Sequence, residues 1–189
     1  MDVLDVALLV ADALARSGVD YFLGGSLASS FQGEPRATND IDMVVDLSEA
    51  SVGPFVAALG SAFDVDEEAL RRAVRERGSW NVIHVPTVTK VDLFVRRDGP
   101  FDESEFTRRE RVEVRGGRSL FVKSPEDTVL RKLLWFRSGG SISDRQWRDL
   151  VEVLRHSRAL IDDAYLDAWA ARLDLVELLA KAREAVGAG

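Results

Sequence analysis

The sequence predicts a mixed α/β fold of the α+β type, in which a core with a mixed β-sheet precedes a helical C-terminal part. In the first two-thirds of the chain, short apolar runs typical of strands alternate irregularly with amphipathic helical patterns. From Ser124 onward only helical patterns occur. The 189 residues suffice for one sizeable core with a helical appendage. We therefore expect an α/β core over residues 1–123 and a helical subdomain over residues 124–189.

Helix and strand signals alternate from the N-terminus to residue 45. Apolar residues recur at helical spacing from Val3 to Ala15, and Gly18 marks the end of that helix. The apolar run Tyr21-Phe22-Leu23 predicts a first strand, which is separated by two glycines and a serine from a short helix, Leu27–Phe31. After a polar loop, a second strand is predicted from Asp40 to about Val45.

Two helices and two further strands are predicted between residues 48 and 95. Ser48 is a suitable N-cap for a helix that continues to Leu59, with a later start at Gly53-Pro54 as the alternative. The charged segment Glu67–Arg77 predicts an exposed helix. Two β-rich runs then predict strands over Trp80–Val85 and Val88–Val95.

The rest of the chain predicts a hairpin and then helices. Gly116-Gly117 is a hairpin signal between two predicted strands, Val112–Arg115 and Ser119–Val122. Ser124-Pro125 supplies an N-cap and a first helical residue for a helix to about Arg137. The remaining predicted helices are, in order, Asp144–Arg155 with Ser143 as its N-cap, Asp163–Leu173 and Leu175–Val186.

Composition excludes several classes of site. The chain has no cysteine, so disulfides and thiolate metal sites are impossible, and its two histidines, His84 and His156, are too few for a histidine zinc site. No apolar run approaches the roughly 20 residues that span a bilayer. The acidic N-terminus is unlike a secretory leader. We expect a cytoplasmic protein without membrane contact.

The distribution of charge argues mildly against nonspecific nucleic-acid binding. The formal net charge is −7, although the middle of the chain is mildly basic. A dense group of arginines there could either contact phosphates or form the solvated face of the predicted hairpin, and we favour the hairpin face. These residues are Arg108, Arg109, Arg111, Arg115 and Arg118.

Two short motifs together predict a metal–nucleotide site. Asp40 and Asp42 lie two positions apart, so on a strand they point to the same face with Cα atoms roughly 7 Å apart. Hard divalent ions such as Mg²⁺ bind carboxylate oxygens together with substrate phosphates. The motif Gly24-Gly25-Ser26, at a strand-to-helix junction, offers backbone N–H groups and a hydroxyl to phosphates.

This order of motifs resembles the nucleotidyltransferase (DNA polymerase β-like) superfamily, which implies a nucleotidyltransferase core in residues 1–123. In that superfamily a later strand supplies a third carboxylate, and Asp92 within Val91–Val95 matches it. The resemblance implies that Asp40, Asp42 and Asp92 hold two Mg²⁺ ions, or Mn²⁺, and catalyse the transfer. It also implies that Gly24, Gly25 and Ser26 bind a nucleoside triphosphate such as ATP. The alternative is that the three aspartates are ordinary strand-end or solvent-facing acids.

Beyond the core, the chain resembles the AbiEii and MenT-type abortive-infection toxin nucleotidyltransferases. The matching residues are Lys132 on the helix after Ser124 and Asp149 on the next helix. By this resemblance Lys132 would be catalytic and contact the nucleotide phosphates, while Asp149 would act near the acceptor or orient Lys132. The alternatives are an exposed helical lysine and, for Asp149, a pairing with Arg145 four residues away.

The resemblance implies transfer of a nucleoside monophosphate from the triphosphate to an acceptor hydroxyl. The implied acceptor is tRNA or a protein, and the implied setting is the toxin of a toxin–antitoxin or phage-defence system with a cognate antitoxin as partner. Two functional alternatives remain open: an enzyme that modifies a small antibiotic, and a nucleotidyltransferase-like antitoxin that acts by binding a cognate toxin. A further alternative is a structural α/β protein without activity. In that case the joint occurrence of the three acids and the glycine motif is a coincidence.

Overall fold

The computed structural model describes residues 1–33, 38–139 and 144–187. Its backbone divides into two compact units. The first unit contains Met1–Leu27 and Ala37–Val122, and the second contains Ala28–Arg36 and Lys123–Gly189. The predicted boundary between residues 123 and 124 does not anticipate that the segment after Leu27 belongs with the C-terminal helices.

The first unit is built on a mixed sheet with the strand order β3-β4-β5-β2-β1-β7-β6. Parallel pairs join β2 to β5 and β1 to β7, whereas the other neighbouring strands are antiparallel. In the described part of the chain the strands are β1 Tyr21–Leu23, β2 Ile41–Val45, β3 Phe63–Asp64, β4 Ser79–His84, β5 Thr89–Val95, β6 Glu110–Arg115 and β7 Arg118–Val122. The predicted mixed α/β fold is therefore confirmed.

The central strands alternate between a buried and a more exposed face. In β2, Ile41, Met43 and Val45 are fully buried, whereas Asp42 and Val44 lie on the other face and are half-buried. The same alternation continues in β5, where Asp92 falls on the half-buried face. Since successive strand residues point to opposite faces, the apolar pattern fixes which face carries the acids.

Helices α1 Val3–Arg16, α3 Glu49–Leu59, α4 Glu67–Arg75 and α5 Pro100–Thr107 complete the first unit. Helix α1 contacts β5 and β7, α4 contacts β4, and α3 packs on both α1 and α4. Asp2, Ser48 and Asp66 cap α1, α3 and α4 through their side chains. Pro54 lies inside α3, so the alternative of a later helix start was wrong.

The arginine-rich segment is held by acidic side chains of the first unit. Arg115 forms ion pairs with Asp2 and Asp5 at 2.7 and 2.9 Å, which joins the hairpin of β6 and β7 to the start of α1. Arg118 pairs with Asp12 at 2.5 Å. Arg115 and Arg118 lie on the exposed hairpin, as predicted, and pair with carboxylates at the N-cap of α1 and within α1. The prediction was wrong for Arg108 and Arg109, which precede β6, and Arg109 instead pairs with Asp20 and packs on aromatic rings.

The second unit consists of the end of α2 and four helices within the described residues. These elements are α2 Gly25–Gln32, α6 Pro125–Arg137, α7 Asp144–His156, α8 Asp163–Arg172 and α9 Val176–Gly187. The Gln32 side chain donates a hydrogen bond to the Lys123 carbonyl, and the Ser157 hydroxyl donates to the Gln32 carbonyl at 3.0 Å. The segment after Leu27 is thereby attached to the start of α6 and the end of α7.

A buried polar cluster fixes the first turn of α6. Ser124 is the N-cap, as predicted, and its hydroxyl accepts a hydrogen bond from the Asp127 amide. The buried Asp127 carboxylate accepts hydrogen bonds from Ser124 and from the Tyr165 hydroxyl, the latter at 2.7 Å. Ser143, the predicted N-cap of α7, lies outside the described residues. None of the helices in the described ranges is long and apolar enough to cross a membrane.

Candidate nucleotide and metal site

The glycine motif and the second aspartate of the Asp-x-Asp motif are neighbours in the sheet. Strands β1 and β2 pair antiparallel with Leu23 opposite Met43. The next rung is a hydrogen bond of 2.9 Å from the Gly24 amide to the Asp42 carbonyl. Two motifs that are separated by a polar loop in the sequence are therefore joined directly by backbone pairing.

Gly25 is a position that only glycine can fill without strain. Its φ of +55° lies in the left-handed region, which costs other residues free energy. A Cβ atom placed on Gly25 would come within 1.8 Å of Asp42 Oδ2 and 2.6 Å of Asp42 Cγ. The missing side chain therefore leaves space for the Asp42 carboxylate at the start of α2.

Ser26 is the second residue of helix α2, which begins at Gly25 and not, as the sequence predicts, at Leu27. The start of an α-helix is a common anion-binding site, because its N–H groups point outward and it carries the positive end of the helix dipole. Ser26 is half-buried and adds a hydroxyl at the same end. The chemistry of this helix start is suited to phosphate oxygens.

Asp42 and Asp92 occupy matching positions on neighbouring strands. The parallel pairing of β2 with β5 places Asp42 opposite Asp92 in register, and both lie on the half-buried face. Adjacent strands lie about 4.8 Å apart, so the two carboxylates are next to each other. Asp40 is exposed and precedes β2, which begins at Ile41 and not at Asp40 as predicted. Its amide donates to the Thr38 hydroxyl at 3.3 Å, which shapes the entry to the strand.

Lys90 is a basic residue within this group that the sequence reasoning did not assign to the site. Its Nζ lies 2.7 Å from Asp92 Oδ2. The hydrogen bond and the charge of Asp92 raise the pKa of Lys90. The charges of Asp40 and Asp42 raise that pKa further, so both acids act on the same ammonium group. Lysine and aspartate two positions apart on a strand share a face, and this spacing is the signal that could have revealed the pair.

Asn81 is a second residue that sequence reasoning missed. Strand β4 pairs antiparallel with β5, and Asn81 lies opposite Asp92. Asn81, Asp92 and Asp42 therefore form a row across three adjacent strands. No local pattern marks Asn81, because its position depends on the register of two strands.

The chemistry of this donor set fits a hard divalent cation. The acid cluster, Asp40, Asp42 and Asp92, offers only carboxylate oxygens, which Mg²⁺ and Mn²⁺ prefer. The Lys90 ammonium already lies against one of these carboxylates, that of Asp92. Among the described residues, however, no three His, Cys, Asp or Glu side chains are arranged closely enough to hold a metal ion. The metal-binding role of the acid cluster remains a prediction.

Lys132 and Asp149 lie in the second unit and are paired with each other. Lys132 Nζ is 3.6 Å from Asp149 Oδ2 and donates a hydrogen bond of 2.9 Å to the Gln146 side chain. Both charged side chains are largely buried, with exposed fractions of 14% and 11%. Lys132 is therefore not an exposed helical lysine. Its predicted contact with nucleotide phosphates remains a prediction, as do the two alternative roles of Asp149, near the acceptor or in orienting Lys132.

The fold matches those of several solved nucleotidyltransferases. The antibiotic-resistance factor ANT(2'')-Ia is 16% identical with a TM-score of 0.55, and the match covers 96% of this chain and 99% of that protein. An antigenic nucleotidyltransferase-like protein from Paracoccidioides brasiliensis is 17% identical with a TM-score of 0.56, over 96% and 93% of the two chains. The lincosamide antibiotic adenylyltransferase LnuA is 14% identical with a TM-score of 0.52, over 79% and 94%.

In sequence, the chain matches no protein-family profile and has no significant similarity to a curated protein. The structural likenesses, all at low identity, establish that the chain has the nucleotidyltransferase fold that the sequence predicts. The closer assignment to the AbiEii and MenT-type toxins remains a prediction.

Proposed function

We propose that this protein is a divalent-metal-dependent nucleotidyltransferase that moves a nucleoside monophosphate from a triphosphate to an acceptor hydroxyl. The observation that carries the proposal is the pairing of Asp42 with Asp92 in register, beside a glycine whose missing side chain makes room for Asp42. A purely structural sheet has no need for two adjacent carboxylates on its half-buried face, since like charges directly opposite each other are destabilising.

The proposed roles follow from the chemistry of each group. The amides at the start of α2 and the Ser26 hydroxyl bind the β- and γ-phosphates. Asp40, Asp42 and Asp92 hold Mg²⁺ or Mn²⁺, which when bound polarises the phosphates and stabilises the attacking and leaving oxygens. The acceptor oxygen forms a bond to the α-phosphorus while the bond to pyrophosphate breaks. Asp92 assists the loss of the acceptor's proton.

Two classes of acceptor are in competition. The resemblance to abortive-infection toxins implies tRNA or a protein, together with a cognate antitoxin. One observation favours a small molecule: the match to ANT(2'')-Ia, an antibiotic-resistance factor, covers 99% of that chain. This chain thus contains counterparts of almost all of that factor's structure. A small antibiotic-like molecule with a free hydroxyl is accordingly the second candidate acceptor.

A binding module without activity is the main alternative outside enzymes. In that reading the chain is a nucleotidyltransferase-like antitoxin or partner, and its acids are not needed. The presence of all three acids argues against this alternative, because a module that only binds a partner needs none of them. A cytoplasmic location is part of the same proposal, since nucleoside triphosphates and tRNA are found there.

The test is transfer of radioactivity from each α-labelled nucleoside triphosphate, with Mg²⁺, to total tRNA, to proteins and to aminoglycoside and lincosamide antibiotics. The unmodified protein should label one acceptor class, and Asp42→Asn should abolish the labelling. Asp98→Asn is the matched control, because Asp98 is an exposed acid of the first unit that pairs with Arg77. Labelling that survives Asp42→Asn would disprove the proposed mechanism. The class that is labelled decides between toxin and drug-modifying roles.

A further inference from the structure

Lys90 lies on the face of β5 that carries Asp92, at the start of the strand. Its ammonium is 2.7 Å from Asp92 Oδ2. The lysine side chain is half exposed, whereas the Asp92 side chain is 23% exposed. The charge that neutralises Asp92 is therefore on a side chain with room to move.

The acid cluster needs such a neutralising charge. Asp42 and Asp92 are register partners on adjacent strands, and Asp40 lies two residues before Asp42. Carboxylates at this spacing repel each other, which destabilises the sheet unless a cation lies between them. The Lys90 ammonium, 2.7 Å from Asp92 Oδ2, supplies a cation at this position.

We propose that Lys90 is the built-in counter-cation of the acid cluster, and that a divalent metal binds there only by displacing the Lys90 ammonium from Asp92. The inference rests on the proposed metal-dependent function and adds a regulatory step to it. Lys90 is here a positioning residue, because it acts on the acid cluster and not on the reacting atoms.

The displacement is physically accessible. A partly exposed ion pair contributes little free energy, and a lysine side chain can swing its ammonium away on four flexible carbons. The divalent ion carries twice the charge of the ammonium and accepts several oxygen ligands at once. Lys90 therefore lowers the metal affinity without preventing binding, and it sets the metal concentration at which the cluster fills.

The test is calorimetric titration of Mn²⁺ into the full-length protein and its variants, without nucleotide. Lys90→Gln removes the competing charge, and we expect its Mn²⁺ affinity to rise about tenfold, the effect of one charge about 5 Å from a divalent ion in water. Lys90→Arg keeps a competing cation and should not bind Mn²⁺ more tightly than the unmodified protein. Arg77→Gln is the matched control, because it removes a cation that pairs with Asp98 beyond the other end of β5.

A second readout uses thermal stability. Without metal, Lys90→Gln should melt at a lower temperature than the unmodified protein, because its carboxylates repel each other. Added Mn²⁺ should raise the melting temperature of Lys90→Gln by more than it raises that of the unmodified protein. Equal or weaker Mn²⁺ binding by Lys90→Gln would overturn the role of Lys90 while leaving the metal site intact. Asp42→Asn should reduce Mn²⁺ binding both in the unmodified protein and in Lys90→Gln. If it reduced binding in neither, both this inference and the proposed function would be overturned.

Discussion

Replacing Gly25 by alanine perturbs the contact on which the whole site depends. At φ +55° an alanine pays about 1–2 kcal/mol for the left-handed backbone. Its Cβ would also fall 1.8 Å from Asp42 Oδ2 and 3.0 Å from Asp42 Cβ. The Asp42 side chain must therefore leave its position, and an off-rotamer side chain costs about 0.5–1.5 kcal/mol more.

The sum predicts a loss of about 1.5–3.5 kcal/mol for Gly25→Ala. For a chain of this size, that corresponds to a fall of roughly 3–14 °C in melting temperature. Metal binding should weaken in the same variant, because the carboxylate that moves is Asp42. Circular dichroism measures the melting temperature, and calorimetric titration with Mn²⁺ measures the metal affinity.

Gly18→Ala provides a matched control. Gly18 has φ +65°, but a Cβ placed there meets no atom within 4 Å. This variant therefore carries the backbone cost alone and should keep its affinity for Mn²⁺. If Gly25→Ala and Gly18→Ala lose equal stability and bind Mn²⁺ equally, the close approach of Gly25 to Asp42 has no functional consequence and the reasoning is refuted.

Three further predictions concern other parts of the chain. Ser26→Ala should lower the affinity for the triphosphate by roughly one to two decades and leave the melting temperature unchanged. A much lower melting temperature with normal triphosphate affinity would show that Ser26 has a structural role instead. Lys132→Met should cost on the order of 3 kcal/mol because it removes a cation 3.6 Å from the largely buried Asp149 carboxylate. The double variant Lys132→Met with Asp149→Leu should regain most of that stability in urea unfolding. Nucleotide transfer should stay roughly 10²–10³-fold lower in this double variant, and normal transfer would exclude Lys132 from the active site. Arg115→Gln should lower the stability at pH 7, because the Arg115 hydrogen bond lowers the pKa of Asp2 in the folded state from 3.8. As the pH falls below 3.8, Asp2 becomes protonated and the stabilisation from this hydrogen bond disappears. The difference in stability between Arg115→Gln and the unmodified protein should therefore shrink.

Elements with strong local signals could be predicted from the sequence. Ser124 and Pro125 begin α6 as predicted, because capping and the first helical position depend on neighbouring residues alone. Gly116-Gly117 likewise gives the hairpin of β6 and β7. Helix α5 was not predicted, although Pro100 at its start and Asp102 in its first turn are signals of the same kind.

The candidate site was only partly predictable. The shared face of the acids follows from strand periodicity, but the register of Asp42 with Asp92 depends on the sheet order, which brings β5 beside β2. Lys132 illustrates a second limit. Its helix offers no carboxylate partner four residues away, and its partner Asp149 comes from another helix. Helical spacing does not reveal this tertiary contact, and only the family resemblance implied that Asp149 could orient Lys132.

The most direct test of the account is a crystal structure with Mn²⁺ and a non-hydrolysable nucleoside triphosphate, with the metal located by its anomalous signal. The account predicts manganese about 2.0–2.2 Å from carboxylate oxygens of both Asp42 and Asp92, with the phosphates at the start of α2. Manganese bound elsewhere, or a triphosphate bound away from Gly25 and Ser26, would contradict it.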